Sequence, residues 1–443
     1  MSFDSLNKND LSFWLAYIES LNIKEIELGL NRVIQVAQNL GVEAVAEKTI
    51  MIAGTNGKGS CVAAMEVILR DLGYKVGCYT SPHILRFNER IKLDGAEIAD
   101  EILCAAFLAV ENARGDIKLT YFEFTTLVAF LIFSKRKLDF ALLEVGLGGR
   151  LDAVNIIEAD VAVITSIDLD HQEWLGKDRE SIGYEKAGII KKNRPVVYGD
   201  SNPTKSVLAT AESLNSKIFL KGRDFDHQIK TEDKSFDWSG GRDMNENISG
   251  LPIPNLAIEN VSIGMQALSV AGIEIDVKFL RSSLRRLYLP GRFEKCVDAL
   301  TGVSVVLDVA HNPAAASMLA SNISRELSIN HRIKQISVVI GLMADKDVRG
   351  FIAELRPFVD SWYVAGFDDP RAMPVKNLAA CLDNEDRIIL PDDRTFLECY
   401  NQACADLYSY QKKEAGSEGL IIVTGSFLCV SAVQESVKRN IKP

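Results

Sequence analysis

An α/β protein of two domains is predicted by three features of the sequence. Apolar strands alternate with amphipathic helices along most of the chain. A glycine-rich turn joins the first clear strand to a helix, and Leu289-Pro290-Gly291-Arg292-Phe293-Glu294 punctuates two periodic regions. The expected N-terminal domain, residues 1–290, is of P-loop type with a mostly parallel sheet. The expected C-terminal domain, residues 291–443, is smaller and Rossmann-like.

Composition narrows the function classes. The 443 residues suit two or three domains, and 47% apolar with 25% charged residues is ordinary for a globular protein. A net charge of −10 gives no support for a nucleic-acid or membrane-surface partner. No apolar run is long enough to span a bilayer, and Met1 to Asp10 lacks a signal-peptide pattern. The eight cysteines are scattered without C-x-x-C, so zinc is not expected; reduced thiols and a cytoplasmic location are.

The stretch Gly54-Thr55-Asn56-Gly57-Lys58-Gly59-Ser60 follows the apolar run Ile50 to Ala53 and precedes helical text. Strand, glycine turn and helix start form a phosphate cradle, because backbone N–H groups converge and the helix N-terminus adds positive charge. Lys58 supplies a full charge, and Ser60 a hydroxyl for magnesium. The spelling departs from G-x-x-x-x-G-K-[ST]: only two residues separate Gly54 from Gly57, and Gly59 intervenes before Ser60.

The remaining elements follow in order. Leu11 to Leu40 reads as two helices; the nearby Asn7-Lys8-Asn9-Asp10 matches the guanine-reading N-K-x-D pattern by chance, since it precedes the loop. Tyr74 to Tyr79 is a strand that ends at Ser81-Pro82-His83, where a parallel sheet gathers ligands. Leu85 to Asp94 reads as a covering loop with Arg86 and Arg90 available for an anion. Ile98 to Arg114 is helical. Leu119 to Phe124 opens another helix, whose Tyr121, Phe122 and Phe124 serve either the core or a slot for a flat ring.

Leu138 to Leu143 is a buried strand closed by Glu144, an acid that is costly there unless it is paired or holds a cation. The following Gly146-Leu147-Gly148-Gly149-Arg150-Leu151 fails the dinucleotide fingerprint at Leu151. Asp160 to Ser166 is the next strand and leads to Asp170-His171. Asp178 to Ile189 is helical, and its Lys186 reads as a solvated lysine. Lys221 to Gly250 is polar and reads as an irregular β excursion. Helices are expected over Asn255 to Ala271 and Asp276 to Leu287. In the second domain, Asp308 ends the strand Val303 to Leu307 ahead of a helix start at His311-Asn312-Pro313.

Taken together, Gly54 to Ser60, Ser81 to His83, Leu119 to Phe124, Glu144 to Asn155, Asp170-His171, Glu185 to Ile189, Leu289 to Phe293 and Asp308 to Pro313 resemble the bacterial folylpolyglutamate synthases. The bifunctional form of these enzymes is also a dihydrofolate synthase, and all belong to the Mur ligase superfamily. The resemblance runs from about residue 20 to the end, and nothing is carried over between Ser201 and Gly250.

The resemblance implies an N-terminal ATPase domain and an ATP-dependent ligase. The ligase would join L-glutamate to dihydropteroate and to reduced folates through an acyl phosphate. It implies ATP contacts from Gly54, Thr55, Asn56, Gly57, Lys58, Gly59, Ser60, Asn260, Arg292 and Asp308, with His311 nearby in sequence, so that closure of an ATP cleft completes the site. One magnesium would take Ser60, Ser81 and Glu144, and a second His171. Lys186 would be carbamylated, which turns a cation into a metal-binding carboxylate. Lys58, Glu144, His171 and Lys186 are thus the expected catalytic set. Pro82, Thr120, Tyr121, Phe122, Glu123, Leu151, Asp152 and Ala153 would border the pterin, in a monomer.

Two other readings share parts of this pattern. A peptidoglycan-precursor ligase acting on a UDP-muramoyl substrate uses the same chemistry, but the short segment before Gly54 leaves little room for its UDP-sugar domain. A non-catalytic nucleotide switch would leave Glu144, His171 and Lys186 without a joint task.

Overall fold

The computed structural model describes residues 9–21, 27–230, 232, 234–383, 386–389, 395–414 and 416–439. Asn7 and Lys8 of the N-K-x-D match, and positions 231 and 233 of the β excursion, lie outside them. The chain divides into two units between Leu287 and Tyr288.

The first unit is built on an eight-stranded sheet. Its strands are β1 (Lys48–Ala53), β2 (Val76–Tyr79), β3 (Ile91–Leu93), β4 (Ala96–Glu97), β5 (Phe140–Glu144), β6 (Val161–Ile164), β7 (Val196–Tyr198) and β8 (Ile218–Leu220). The spatial order is β4-β3-β2-β5-β1-β6-β7-β8. Every pairing is parallel except β2 with β3 and β3 with β4. Residues of β1, β5 and β6 are buried on both faces, as continuous apolar runs require in a covered parallel sheet. Ile52 is level with Glu144 on one side and Val163 on the other, so these strands deliver their carboxyl ends to one edge.

The covering helices explain their own composition. Tyr121–Ser134 is apolar nearly all round; it and Ile258–Val270 are almost wholly buried, and Lys58–Asp71 is buried from Ser60 to Glu66. Leu11–Leu21 and Asn31–Leu40 are the two N-terminal helices; Trp14 stacks on Phe107 in the same core. The stretch from Leu85 to Asp94 is not the open loop expected from its polarity. Phe87 and Ile91 are buried, and β3 adds an antiparallel edge to β2. The β excursion is an antiparallel sheet of β9 (Asp226–Lys230), β10 (Ser235–Gly240) and β11 (Glu246–Pro252) in the order β11-β10-β9, with an irregular register between Phe236 and Trp238.

The second unit carries a seven-stranded sheet of β12 (Glu294–Asp298), β13 (Ser304–Leu307), β14 (Ile333–Ile340), β15 (Ser361–Val364), β16 (Ile388–Ile389), β17 (Glu418–Thr424) and β18 (Val437–Arg439). The order is β16-β15-β14-β17-β13-β12-β18, with the first five parallel and β12 antiparallel to both neighbours. The helix Phe396–Lys413 opens on a complete capping box of Thr395 and Glu398.

After β17 the chain passes against the ends of β13 and β14. Gly425 donates its N–H to Ala310 O at 2.9 Å and has φ +107°. A Cβ there would fall 2.2 Å from the carbonyl oxygen of Gly341, which is backbone and has little room to give. Gly425→Ala is therefore expected to destabilise the second unit by about 2–4 kcal/mol, read as a lowered denaturation midpoint in urea.

Candidate active site

The glycine loop is fixed before any ligand arrives. Thr55 N–H donates to Ser166 O at 2.7 Å, Asp168 N–H to Thr55 Oγ1 at 3.0 Å, and Thr165 Oγ1 to Asn56 O at 2.6 Å. The turn beyond β6 thus holds the turn beyond β1. Gly57 caps the helix Lys58–Asp71 with φ +85°, and a Cβ on it would lie 2.2 Å from Asn260 Oδ1. Asn260 is buried at the start of Ile258–Val270, 203 positions after Gly57, and no local signal predicts that proximity. Lys58 Nζ donates to Gly54 O at 2.9 Å and Thr55 O at 3.2 Å, so the ammonium lies over its own loop.

Next to this loop lie the oxygen donors. Glu144 is 5% exposed, and its Oε2 accepts from Ser81 N–H at 3.2 Å. Ser60 is buried in the first turn of the loop's helix. A carboxylate and two hydroxyls are hard oxygen ligands of the kind magnesium takes, leaving places for water and phosphate oxygens. Among the described residues no three His, Cys, Asp or Glu side chains gather, so the donor set is mixed.

Lys186 departs from the solvated lysine its helical setting suggests. It is 4% exposed, and its pKa falls to about 7, first through burial and then through the charge of Lys58. Asp170 and Asp152 oppose the fall without cancelling it. The end of its helix, Arg179–Ala187, is clasped by the turn after β5. Arg150 N–H donates to Glu185 O at 2.8 Å, and Asn155 Nδ2 to Gly188 O at 3.0 Å. His171 sits in the left-handed region at φ 49°, half-exposed, with Nε2 4.0 Å from Asp170 Oδ2.

The expected pterin residues separate into two kinds. Tyr121 and Phe122 are part-exposed; Arg90 lies 5.5 Å from the Tyr121 ring, and Tyr79 is 6.0 Å from Phe122. Phe124 is fully buried in the core. Thr120 and Glu123 close a capping box on each other, and Glu123 Oε1 also accepts from Arg32 at 2.7 Å. Arg32 was not singled out from the sequence, which gives no hint of a partner 91 residues on. Asp152 accepts from Leu147 N–H and Val154 N–H, and burial lifts its pKa to about 6. Ala153 is buried beside it and Leu151 half-buried. Pro82 is exposed and follows a cis peptide bond. His83 Nδ1 accepts from Arg90 Nε at 2.8 Å, and burial followed by the Arg90 charge lowers its pKa to about 4. Arg86, the other candidate anion ligand, instead pairs with Glu97 at the surface.

Within the second unit, Asp308 accepts from Phe293 N–H at 2.8 Å and Ala310 N–H at 2.9 Å, and burial raises its pKa against the pull of Arg292. The Arg292 guanidinium lies 5.2 Å from the Phe427 ring, and the His311 ring 6.3 Å from it. Arg292, Asp308 and His311 therefore form one cluster at the carboxyl end of β13. Phe427 completes it and carried no signal in the sequence.

This architecture is that of Mur ligases. The Mur ligase middle domain matches residues 52–262, and the Mur ligase glutamate ligase domain residues 291–427. The chain belongs to the dihydrofolate synthase/folylpolyglutamate synthase family. It is 39% identical to the dihydrofolate synthase/folylpolyglutamate synthase of Escherichia coli K12, over 96% of this chain and 95% of that one. The structure of E. coli FolC in complex with DHPP and ADP superposes with TM-score 0.87 at 38% identity, covering 96% and 97% of the two chains. A bifunctional folylpolyglutamate synthase/dihydrofolate synthase from Yersinia pestis, complexed with AMPPNP and a manganese ion, gives 0.85 at 37% identity, covering 96% and 97%.

The buried lysine generates a pH test. With a folded pKa near 7 and an unfolded value of 10.5, the unfolded chain binds the extra proton between those limits, so stability rises with pH across that window. In CO₂-free, metal-free buffer, raising the pH from 7 to 9 is expected to stabilise the protein relative to Lys186→Met by about 2 kcal/mol, measured by urea denaturation of both.

Proposed function

We propose that this chain is an ATP-dependent ligase that adds L-glutamate to dihydropteroate and to reduced folates. The observation that carries this reading is the gathering of a phosphate loop, Glu144, Ser81 and the buried Lys186 at one edge of the eight-stranded sheet. The folate name of relatives matching over 96% of the chain favours folates over a UDP-muramoyl acceptor.

A carboxylate does not condense with an amine near neutral pH, so it must first be activated. An oxygen of the acceptor carboxylate attacks the γ-phosphorus of ATP, ADP leaves, and an acyl phosphate forms. The glutamate amine then attacks the acyl carbon, the C–O bond to phosphate breaks, and the amine proton is lost. Residues Gly54 to Ser60 hold the phosphates through backbone amides and the helix N-terminus. Lys58 Nζ exchanges its two loop carbonyls for phosphate oxygens, against which its charge stabilises transfer. Ser60, Ser81 and Glu144 would hold one magnesium and His171 would help hold a second; a divalent ion there would supply charge neutralisation for the phosphates. In the first unit Asn260 is read as an ATP contact, and in the second Arg292, Asp308 and His311 are the expected nucleotide residues.

Lys186 is read as a carbamate. At a pKa near 7 its amine is partly neutral under physiological conditions, and only the neutral amine attacks CO₂. A new N–C bond forms, one proton is released, and the buried cation becomes a carboxylate that suits the second metal site. Tyr121 and Phe122 offer ring faces to the pterin beside Pro82. Thr120, Glu123 and the segment Leu151, Asp152 and Ala153 shape the wall behind them. The enzyme is read as a cytosolic monomer; among the described residues no helix is long and apolar enough to cross a membrane.

Lys186→Ala is expected to lower kcat about 100-fold while the protein stays folded by circular dichroism; full activity would remove the carbamate role. The function itself is tested by ADP release with ATP, Mg²⁺ and L-glutamate, offering dihydropteroate and tetrahydrofolate separately. Glutamate-dependent release with both is expected. Release with neither overturns the folate assignment.

A further inference from the structure

The sheet of β9, β10 and β11 lies in the part of the chain to which the resemblance assigns nothing, yet several of its polar contacts go to one helix. That helix, Ile258–Val270, presents two faces with different tasks. At about 100° per residue, Asn260 and Gly264 share one side. Asn260 meets Gly57 of the phosphate loop, and Gly264 packs on Met65, Ala64 and the carbonyl of Cys61 in the loop's own helix. Glu259, Gln266 and Ser269 share the opposite side.

Each of these three side chains is engaged by the small sheet or the turn that joins its strands. Gln266 is fully buried, accepts from Gly241 N–H at 2.8 Å and donates to Gly241 O at 3.1 Å, a two-point amide pair. Ser269 Oγ donates to Glu246 at 2.8 Å and accepts from Arg242 N–H at 3.1 Å. Glu259, next to Asn260, faces Nε2 of His227 at 3.6 Å. A helix held only by apolar packing can rotate or slide by small amounts, whereas the directional bonds of Gln266 and Ser269, with the Glu259–His227 ion pair at the other end, fix its phase and its height. The residue whose placement depends most on that phase is Asn260, because the glycine it touches leaves no slack.

We infer that the three-stranded sheet is a positioning device for nucleotide binding. Gln266 is its principal positioning residue, acting through Asn260, with Ser269 and Glu259 in support. The inference rests on the reading that Asn260 contacts ATP. The sheet would thus set ATP affinity without touching ATP. A purely structural role would make a different prediction: loss of Gln266 would lower the amount of folded enzyme and leave the affinity of the folded fraction unchanged.

A double-mutant cycle separates these roles, read as the Kd for AMPPNP with Mg²⁺ by calorimetry and as KM for ATP and for glutamate. Gln266→Met keeps the shape and removes both bonds; Ser269→Ala is the milder companion should the first fail to fold. Either variant is expected to weaken AMPPNP binding about fivefold and raise KM for ATP, with KM for glutamate unchanged. In an Asn260→Ala background the same substitution should add less than about twofold. If Asn260→Ala alone leaves AMPPNP binding intact, the ATP assignment of Asn260 fails. If Asn260→Ala weakens binding while Gln266→Met and Ser269→Ala do not, or if the effects multiply in the double variants, the positioning role is overturned.

Discussion

The site in the first unit depends on how two lysines are accommodated at one dehydrated edge. Lys58 and Lys186 repel each other there, and Lys186 is 4% exposed. Like charges in so low a dielectric cannot both be retained cheaply. The structure answers with Asp152 and Asp170, with loop carbonyls that absorb the Lys58 ammonium, and with a Lys186 that loses much of its basicity. Anionic phosphates and divalent cations change that balance as they arrive. An edge so charged suits the nucleotide site proposed for it.

The supporting architecture follows from the parallel sheet. Because β1, β5 and β6 run level, the turns beyond them meet; hydrogen bonds from the Thr165 to Asp168 stretch hold the glycine loop, and Glu144 lands beside Ser81. The apolar strands and wrapped helices provide rigidity, and the chemistry occupies only the turns. The second unit repeats this economy at the end of β13, where Asp308 orders the backbone around Arg292.

Much of this is legible in the sequence. Glycine spacing, strand-end acids and Pro-Gly punctuation are local signals, and they located the loop, Glu144, Asp308 and the join between periodic regions. What escaped is non-local. Burial of Lys186 results from the turn after β5 folding over its helix, which no window around position 186 contains. Polarity from Leu85 to Asp94 masked a 3₁₀ turn and a three-residue strand, whose buried Phe87 and Ile91 are too few to set a period. Bunched aromatics gave one period for two fates: Phe124 went to the core, while Tyr121 and Phe122 stayed at the rim. Glu123, expected beside substrate, proved to be tied to Thr120 and Arg32.

If this edge transfers a phosphoryl group to a carboxylate before glutamate attacks, an isotope can follow the atom concerned. Dihydropteroate labelled with ¹⁸O in its carboxylate would be turned over with ATP, Mg²⁺ and L-glutamate, and the released phosphate analysed by mass spectrometry. The acyl phosphate route requires one ¹⁸O in each phosphate, carried over from the acceptor. Unlabelled phosphate accompanying labelled product would contradict it.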